Sequence, residues 1–170
     1  MPGEFKEISV YDIQENPFKL IADDWMLVTA GDLQKFNTMT ASWGALGELW
    51  NKKVAICFVR PTRHTYGFME TTDTFTLTFF DEKHRKALDF CGSHSGRDTD
   101  KIAKTDLTPI EWEKQAVYFQ QARLVLICRK VYMQDLDPAL FLDPVIHDAY
   151  PKKDYHRMYV GEIIRCLAAT

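Results

Sequence analysis

Residues Thr74 to Phe79 read Thr-Phe-Thr-Leu-Thr-Phe, a strict alternation with Phe75, Leu77 and Phe79 on one side and Thr74, Thr76 and Thr78 on the other. A helix cannot use such a pattern, because its side chains repeat about every 3.6 residues and this one repeats every second residue. The segment is therefore expected to be a strand with one apolar and one hydroxylated face. Similar runs recur along the chain. Trp25 to Ala30 ends at the turn signal Gly31-Asp32, and a second extended run covers Asn37 to Trp43. The two read as a hairpin with its loop around Gly31 to Lys35. Val54 to Arg60 is a nearly continuous apolar strand stopped by Pro61, Arg123 to Tyr132 is a long β-rich run, and Arg157 to Ile164 closes the series. Gly161 inside that last run signals a bulge or a close backbone approach.

Helical signals are fewer. Asp81 to Cys91 opens with acids, which suit a helix N-terminus, and Gly92 is expected to end it as a left-handed cap. Ser95 with Asp98 three residues on resembles a capping box for a helix over Arg97 to Lys104. A short helical turn is expected over Asp137 to Leu142, and Asp143 to Tyr155 reads as a surface loop. The sum is a mainly β chain with a few helices, a closed or partly open barrel forming one domain over residues 1–170.

Composition narrows the partners. With 21 Lys and Arg against 24 Asp and Glu the net charge is −3, which offers no general attraction to nucleic acid or acidic lipid. The longest apolar run, Leu124 to Cys128, is far too short to span a membrane. No secretory signal opens the chain, so the cytoplasm is the expected compartment. Cys57, Cys91, Cys128 and Cys166 form no Cys-x-x-Cys pair and read as buried thiols. The five histidines form no i, i+4 pair, so no metal site is expected. Gly92 to Gly96 has the spacing of a nucleophile elbow, but its apex is His94 rather than serine.

Three segments differ from plain core. Asn37 to Gly44 has strand spacing but carries hydroxyls and small residues, which let a planar ligand approach the backbone; an edge strand with a solvated threonine face fits the same composition. Arg60-Pro61-Thr62-Arg63-His64-Thr65 sets two arginines around a proline directly after a strand, where forked donors suit a phosphate. A solvated basic turn is the plainer alternative. Ser93 to Asp98, with Lys101 beyond, places Ser, Gly and Arg at an expected helix N-terminus, where an anion is favoured over an ordinary capped surface helix only in company with the second segment. Three arginines and one lysine in an acidic chain point to a small phosphorylated ligand rather than a polymer.

The segments NTMTASWG, FVRPTRHTYGFME, DTFTLTFF, CGSHSGRDTDK and DYHRMYVGEI, in this order, resemble the flavoredoxin branch of the flavin reductase-like family over about Pro17 to Ile163. The resemblance implies a split β-barrel, Greek-key-like, that binds FMN without a covalent bond, as a homodimer with the flavin near the subunit interface. It implies that Met39, Thr40, Ala41, Ser42 and Trp43 line the isoalloxazine and ribityl chain, and that Arg60, Arg63 and Thr65 approach the phosphate. Ser95, Gly96, Arg97 and Lys101 match a second phosphate-side segment. His156 matches a position in the last strand that implies a catalytic role, and Arg157 stands where the family often has a small hydroxyl residue. The implied activity is an FMN-dependent oxidoreductase fed by NADH, NADPH or a redox protein partner. A non-enzymatic ligand-binding or interaction module on the same barrel is the alternative, since 22 aromatic residues could also serve a haem or a protein surface.

Overall fold

Alternating segments pair as one antiparallel sheet. The computed structural model describes residues 4–170, and the strands are β1 (Phe5–Glu7), β2 (Met26–Asp32), β3 (Lys35–Ala41), β4 (Gly44–Leu49), β5 (Lys52–Val59), β6 (Thr74–Phe80), β7 (Pro109–Trp112), β8 (Ala116–Phe119), β9 (Ala122–Asp135) and β10 (Arg157–Ala169). Two α-helices, α1 (His64–Thr71) and α2 (Arg85–Ser93), lie between them. The sheet order is β3-β2-β6-β9-β10-β5-β4, with β1 along β10 and a separate β7-β8 hairpin.

That order forces closure. β3 and β4 are the two ends of the path, yet only Ser42 and Trp43 separate them in the chain. Three Cα steps span no more than about 11 Å. The sheet must therefore curl until its edges nearly meet. It is a barrel with a split between β3 and β4, and Ser42 and Trp43 bridge the split.

The two faces bury different sets. Phe75, Leu77 and Phe79 of β6 join Leu124, Leu126 and Cys128 of β9, Cys57 and Val59 of β5 and Tyr159 of β10 in the main core. On the opposite face Leu27, Val125 and Ile127 pack with Leu88 and Cys91 of α2 and with Phe119 of β8. The threonine face of β6 is thus not solvated. Thr74 donates to the Gln115 carbonyl, Thr76 to Val117 O at 2.6 Å and Thr78 to Leu27 O at 3.4 Å. All four cysteines are free and buried.

The expected strands form, with shifted ends. The run beginning at Asn37 starts earlier, at Lys35, and stops at Ala41 rather than Trp43, and the strand expected to reach Arg60 ends at Val59. Gly161 sits at a register shift in β10, where a Cβ would come within 2.6 Å of the Phe75 ring and 2.7 Å of Cys128 Cβ. The helix expected over Asp81 to Cys91 begins as a 3₁₀ turn and continues as α2.

Two helix expectations fail. Gly92 lies inside α2 and is not left-handed; Gly31 is the described glycine with positive φ. The bare Cα of Gly92 instead admits Thr40, whose Cβ would lie 3.3 Å from a Cβ there. Arg97 to Lys104 forms turns, not a helix. Ser95 Oγ accepts from Arg97 N–H at 3.2 Å and Asp100 Oδ1 from the Ile102 and Ala103 N–H groups at 3.0 Å, local bonds that compete with helical ones. Residues 143–155 contain a mostly exposed 3₁₀ turn at Pro144–Ala149, followed by the buried Tyr150.

Candidate active site

A cleft of about 210 Å³ opens at the barrel split. The C-terminal end of β3 supplies Met39, Thr40 and Ala41, and the bridge supplies Ser42 and Trp43. The end of β5 supplies Phe58, and the connection from β5 to α1 supplies Arg60 and Arg63. His156, directly before β10, completes the lining. Eight of the thirteen residues singled out from the sequence therefore share one cavity.

Arg60 and His156 are held by the 143–155 segment. Arg60 Nη1 donates to Asp154 Oδ1 at 2.8 Å and Nη2 to Ala149 O at 2.9 Å, while the guanidinium lies 4.8 Å from the Tyr150 ring centre. His156 Nδ1 meets the Tyr150 hydroxyl at 2.7 Å, and its ring packs 5.1 Å from that of Trp43. Burial, reinforced by the Arg60 charge and opposed by Asp154, pushes the imidazole down to about 4. His156 is therefore neutral at physiological pH. Nδ1 is thus engaged by the phenol, and Nε2 is the ring nitrogen with no hydrogen-bond partner among the described residues.

Arg63 occupies the other wall. Its Nη1 donates to Gly92 O at 3.2 Å and its Nη2 to Cys91 O at 3.4 Å, so its charge sits at the C-terminal carbonyls of α2, where a cation is favoured. Lys101 works on the same end from behind. Its buried Nζ donates to Thr38 O at 2.7 Å and to Cys91 O at 2.9 Å, and burial lowers its ammonium to about 8. Thr40 Oγ1 adds a bond to Leu88 O at 2.5 Å.

The remaining site residues flank the cleft instead of lining it. Thr65 is buried and accepts from Asn37 Nδ2 at 2.7 Å. Gly96 presses so closely on Asn37 that a Cβ would fall 2.0 Å from its Oδ1. Arg97 reaches back to Thr62 O at 3.0 Å, and Ser95 shapes the turn. Together with Lys101 they bind the 94–101 turn to β3 and the start of α1. Arg157 turns elsewhere: it holds Asp135 through Nε and Nη2 at 2.7 and 3.0 Å and Glu70 at 2.9 Å, and Glu70 also accepts the Tyr159 hydroxyl at 2.5 Å.

Sequence reasoning missed Phe58, Tyr150 and Asp154. Phe58 was hidden in an apolar strand. Tyr150 and Asp154 lie in a Pro- and Lys-rich stretch with no periodic signal, and only their six- and two-residue distances from His156 hinted at them. Two further cavities adjoin the cleft. It shares Ser42, Trp43 and Phe58 with an apolar cavity of about 560 Å³ that carries no charged side chain, and it shares Arg63 with another of about 530 Å³.

Comparison with known proteins agrees with this architecture. The model of the flavin reductase like domain matches residues 18–169. Among solved structures, a flavoredoxin from Methanosarcina acetivorans superposes with a TM-score of 0.65 at 24% identity, covering 84% of this chain and 67% of that one. An FMN-binding domain of a flavin reductases-like enzyme from Shewanella baltica gives 0.71 at 14%, covering 99% and 79%. An NADH:FAD oxidoreductase from Streptomyces globisporus gives 0.65 at 18%, covering 85% and 74%. No curated protein matches the sequence at a significant level. The split barrel and the match over residues 18–169 place this chain in the flavin reductase-like family.

Proposed function

We propose that the chain is an oxidoreductase of the flavin reductase or flavoredoxin type that moves electrons through non-covalently bound FMN. The observation that carries this reading is convergence: residues from three distant stretches, 39–43, 60–63 and 156, line one cleft at the barrel split.

The donor set suits that cofactor. Arg60, Arg63, Ser42, Thr40 and a neutral His156 line the cleft, and no carboxylate among the described residues does. Each guanidinium has five N–H donors. The bonds described above use two on Arg60 and two on Arg63, leaving donors on both for a phosphate. At about 210 Å³ the cleft alone is small for a flavin, since ligand sites usually hold about 300–1,000 Å³. The apolar cavity that shares Ser42, Trp43 and Phe58 with it is the place where a ring system would extend. In this reading Met39 to Trp43 hold the rings, Arg60 and Arg63 hold the phosphate, and Thr65, Ser95, Gly96, Arg97 and Lys101 brace the wall behind them.

When bound, the flavin supplies the redox chemistry. The chain's own part is to orient it, to keep water from its rings with Trp43 and Phe58, and to hold a neutral imidazole at His156. The electron source is NADH, NADPH or a redox protein partner. A second copy of the chain is proposed to cover the apolar mouth, where Phe18 is 84% and Trp43 50% exposed.

The test is an absorbance spectrum of the purified protein with and without added FMN, followed by anaerobic titration with both nicotinamides. Flavin bands that remain with the protein through gel filtration are expected. Bleaching by NADH or NADPH assigns a reductase, and bleaching only by a reduced redox protein assigns a carrier. A colourless protein that retains no added FMN overturns the reading.

A further inference from the structure

Of the described residues between Leu136 and His156, only Tyr150 is buried, at 5% exposure. It closes the 3₁₀ turn at Pro144–Ala149, donating its N–H to His147 O at 3.0 Å. Phe141 stacks on its ring at 5.9 Å, and Tyr155 packs against it at 5.0 Å. An anchor for a surface segment needs an apolar ring. It does not need a hydroxyl, and a phenylalanine would anchor the segment without bringing in a buried polar group that must then be satisfied.

The hydroxyl has one partner. It meets His156 Nδ1 at 2.7 Å and makes no other hydrogen bond among the described residues. Burial raises the phenol above its usual range, so the oxygen keeps its proton. The imidazole is neutral, so one of its nitrogens is an acceptor and the other a donor. Two arrangements fit the distance. If Nδ1 carried the ring proton, the hydroxyl would accept it, and the hydroxyl's own proton would be left without an acceptor in a buried place. If the hydroxyl donates to Nδ1, both groups are satisfied and the ring proton sits on Nε2. The imidazole otherwise packs against Trp43 and Phe58 at 5.1 and 6.4 Å, and these two line the cleft with it. The ring of Tyr150 serves a second cleft residue. It lies 4.8 Å from the Arg60 guanidinium, and Ala149 O, one residue back, accepts from Arg60 Nη2 at 2.9 Å.

We infer that Tyr150 is a positioning residue for the cleft: its hydroxyl donates to His156 Nδ1, so that Nε2–H is offered to the bound ligand, and its ring seats the Arg60 guanidinium. The inference deepens the flavin reading and rests on it for the identity of that ligand. A fixed N–H donor interacts more strongly with an acceptor atom as that atom gains negative charge, so this one favours the reduced form of a ligand in the cleft over the oxidised form.

Nitrogen NMR spectra of the isotope-labelled full chain at neutral pH read the His156 tautomer directly, its ring signals being assigned by their loss in His156→Gln. The wild type is expected to hold the Nε2–H tautomer alone. In Tyr150→Phe the two ring-nitrogen signals should draw together as the Nδ1–H tautomer becomes populated. An Nδ1–H tautomer in the wild type, or identical His156 signals in the two proteins, overturns the inference, because a residue that only anchored the segment would leave the tautomer as it is. Thermal melting reports whether the variants fold, and the wild-type spectrum alone decides the direction of the hydrogen bond if they do not. With FMN bound, the midpoint potential should shift to more negative values in Tyr150→Phe, and an unchanged potential removes the action of Nε2–H on the ligand. FMN affinity should hold within about threefold in Tyr150→Phe, which keeps the ring face, and fall about fivefold or more in Tyr150→Leu, which loses it. Equal affinities in the two variants overturn the Arg60 half of the inference. A wild type that retains no FMN ends the flavin reading, while the ring-nitrogen spectra still decide on Tyr150.

Discussion

Neutral His156 makes the protein sensitive to acid in a defined window. Its folded value of about 4 lies below the ordinary imidazole value of 6.5, so between these the unfolded chain binds a proton that the folded chain does not. Stability therefore falls as pH drops through 6.5, and the loss from this residue is complete near 4. The shift corresponds to on the order of 3 kcal/mol. Carboxylates such as Asp135, held low by the bonded Arg157, add their own acid loss, so the clean measurement is a difference. The gap in unfolding free energy between wild type and His156→Phe should move in the variant's favour by that order from pH 7 to pH 4. A gap independent of pH would contradict it. Arg63 and Lys101 separate in another way. Arg63 lines the cleft, whereas Lys101 is spent on the Thr38 and Cys91 carbonyls behind it. Arg63→Ala should weaken FMN binding by about tenfold or more, as expected for a charge-assisted bond worth about 1.5–3 kcal/mol. Lys101→Met should change FMN affinity less and lower the melting temperature more. Flavin fluorescence titration beside thermal unfolding distinguishes the two, and equal FMN affinities would contradict the ranking.

At the scale of elements, the glycine in β10 is a packing requirement rather than a flexible joint. A Cβ at Gly161 would enter the space of the Phe75 ring and Cys128 Cβ, both in the buried core. Gly161→Ala should cost about 2–3 kcal/mol through overpacking, read as a shift in the denaturant midpoint, and a midpoint within error of wild type would contradict it. The signal for this close approach was legible, because a glycine inside an apolar strand has few other uses. The strands were legible for the same reason: alternation reports the pleat directly. Elements without alternation were not. β4 reads Gly-Ala-Leu-Gly-Glu-Leu and carries mostly exposed positions, so no apolar face marks it. α1 buries only Thr65 and Met69, one turn apart, and opens with no side-chain cap. The 97–104 stretch had the opposite fault. Ser95 does accept a backbone N–H, but it caps a turn, and Lys101 is drawn inward to the Thr38 carbonyl of β3 and the Cys91 carbonyl near the end of α2.

At the scale of the molecule, the cleft exists because the barrel is split where it closes. Sheet order brings β3 beside β4, and His156 arrives because β10 pairs with β5, setting Arg157 opposite Val59. No local pattern encodes that meeting of residues 39–43, 60–63 and 156; only the resemblance of the ordered motifs pointed to it. The mouth that results is apolar beyond what one chain can cover. Phe18, Trp43 and Ile146 line the charge-free cavity beside the cleft and are 84%, 50% and 39% exposed, and Val145 next to them is 67% exposed. An exposed patch of large apolar side chains at the mouth of a cavity is the usual signature of an interface. If a second copy covers it, sedimentation at micromolar concentration should give twice the mass of the chain. Phe18→Glu combined with Ile146→Glu should return the monomer, because each glutamate would be buried without a partner. Both positions face outward, so the monomer should keep the wild-type far-ultraviolet circular dichroism. A wild type that sediments as a monomer, or a double variant that remains dimeric, would place the interface elsewhere or remove it, and Trp43 would then border open solvent in the working protein.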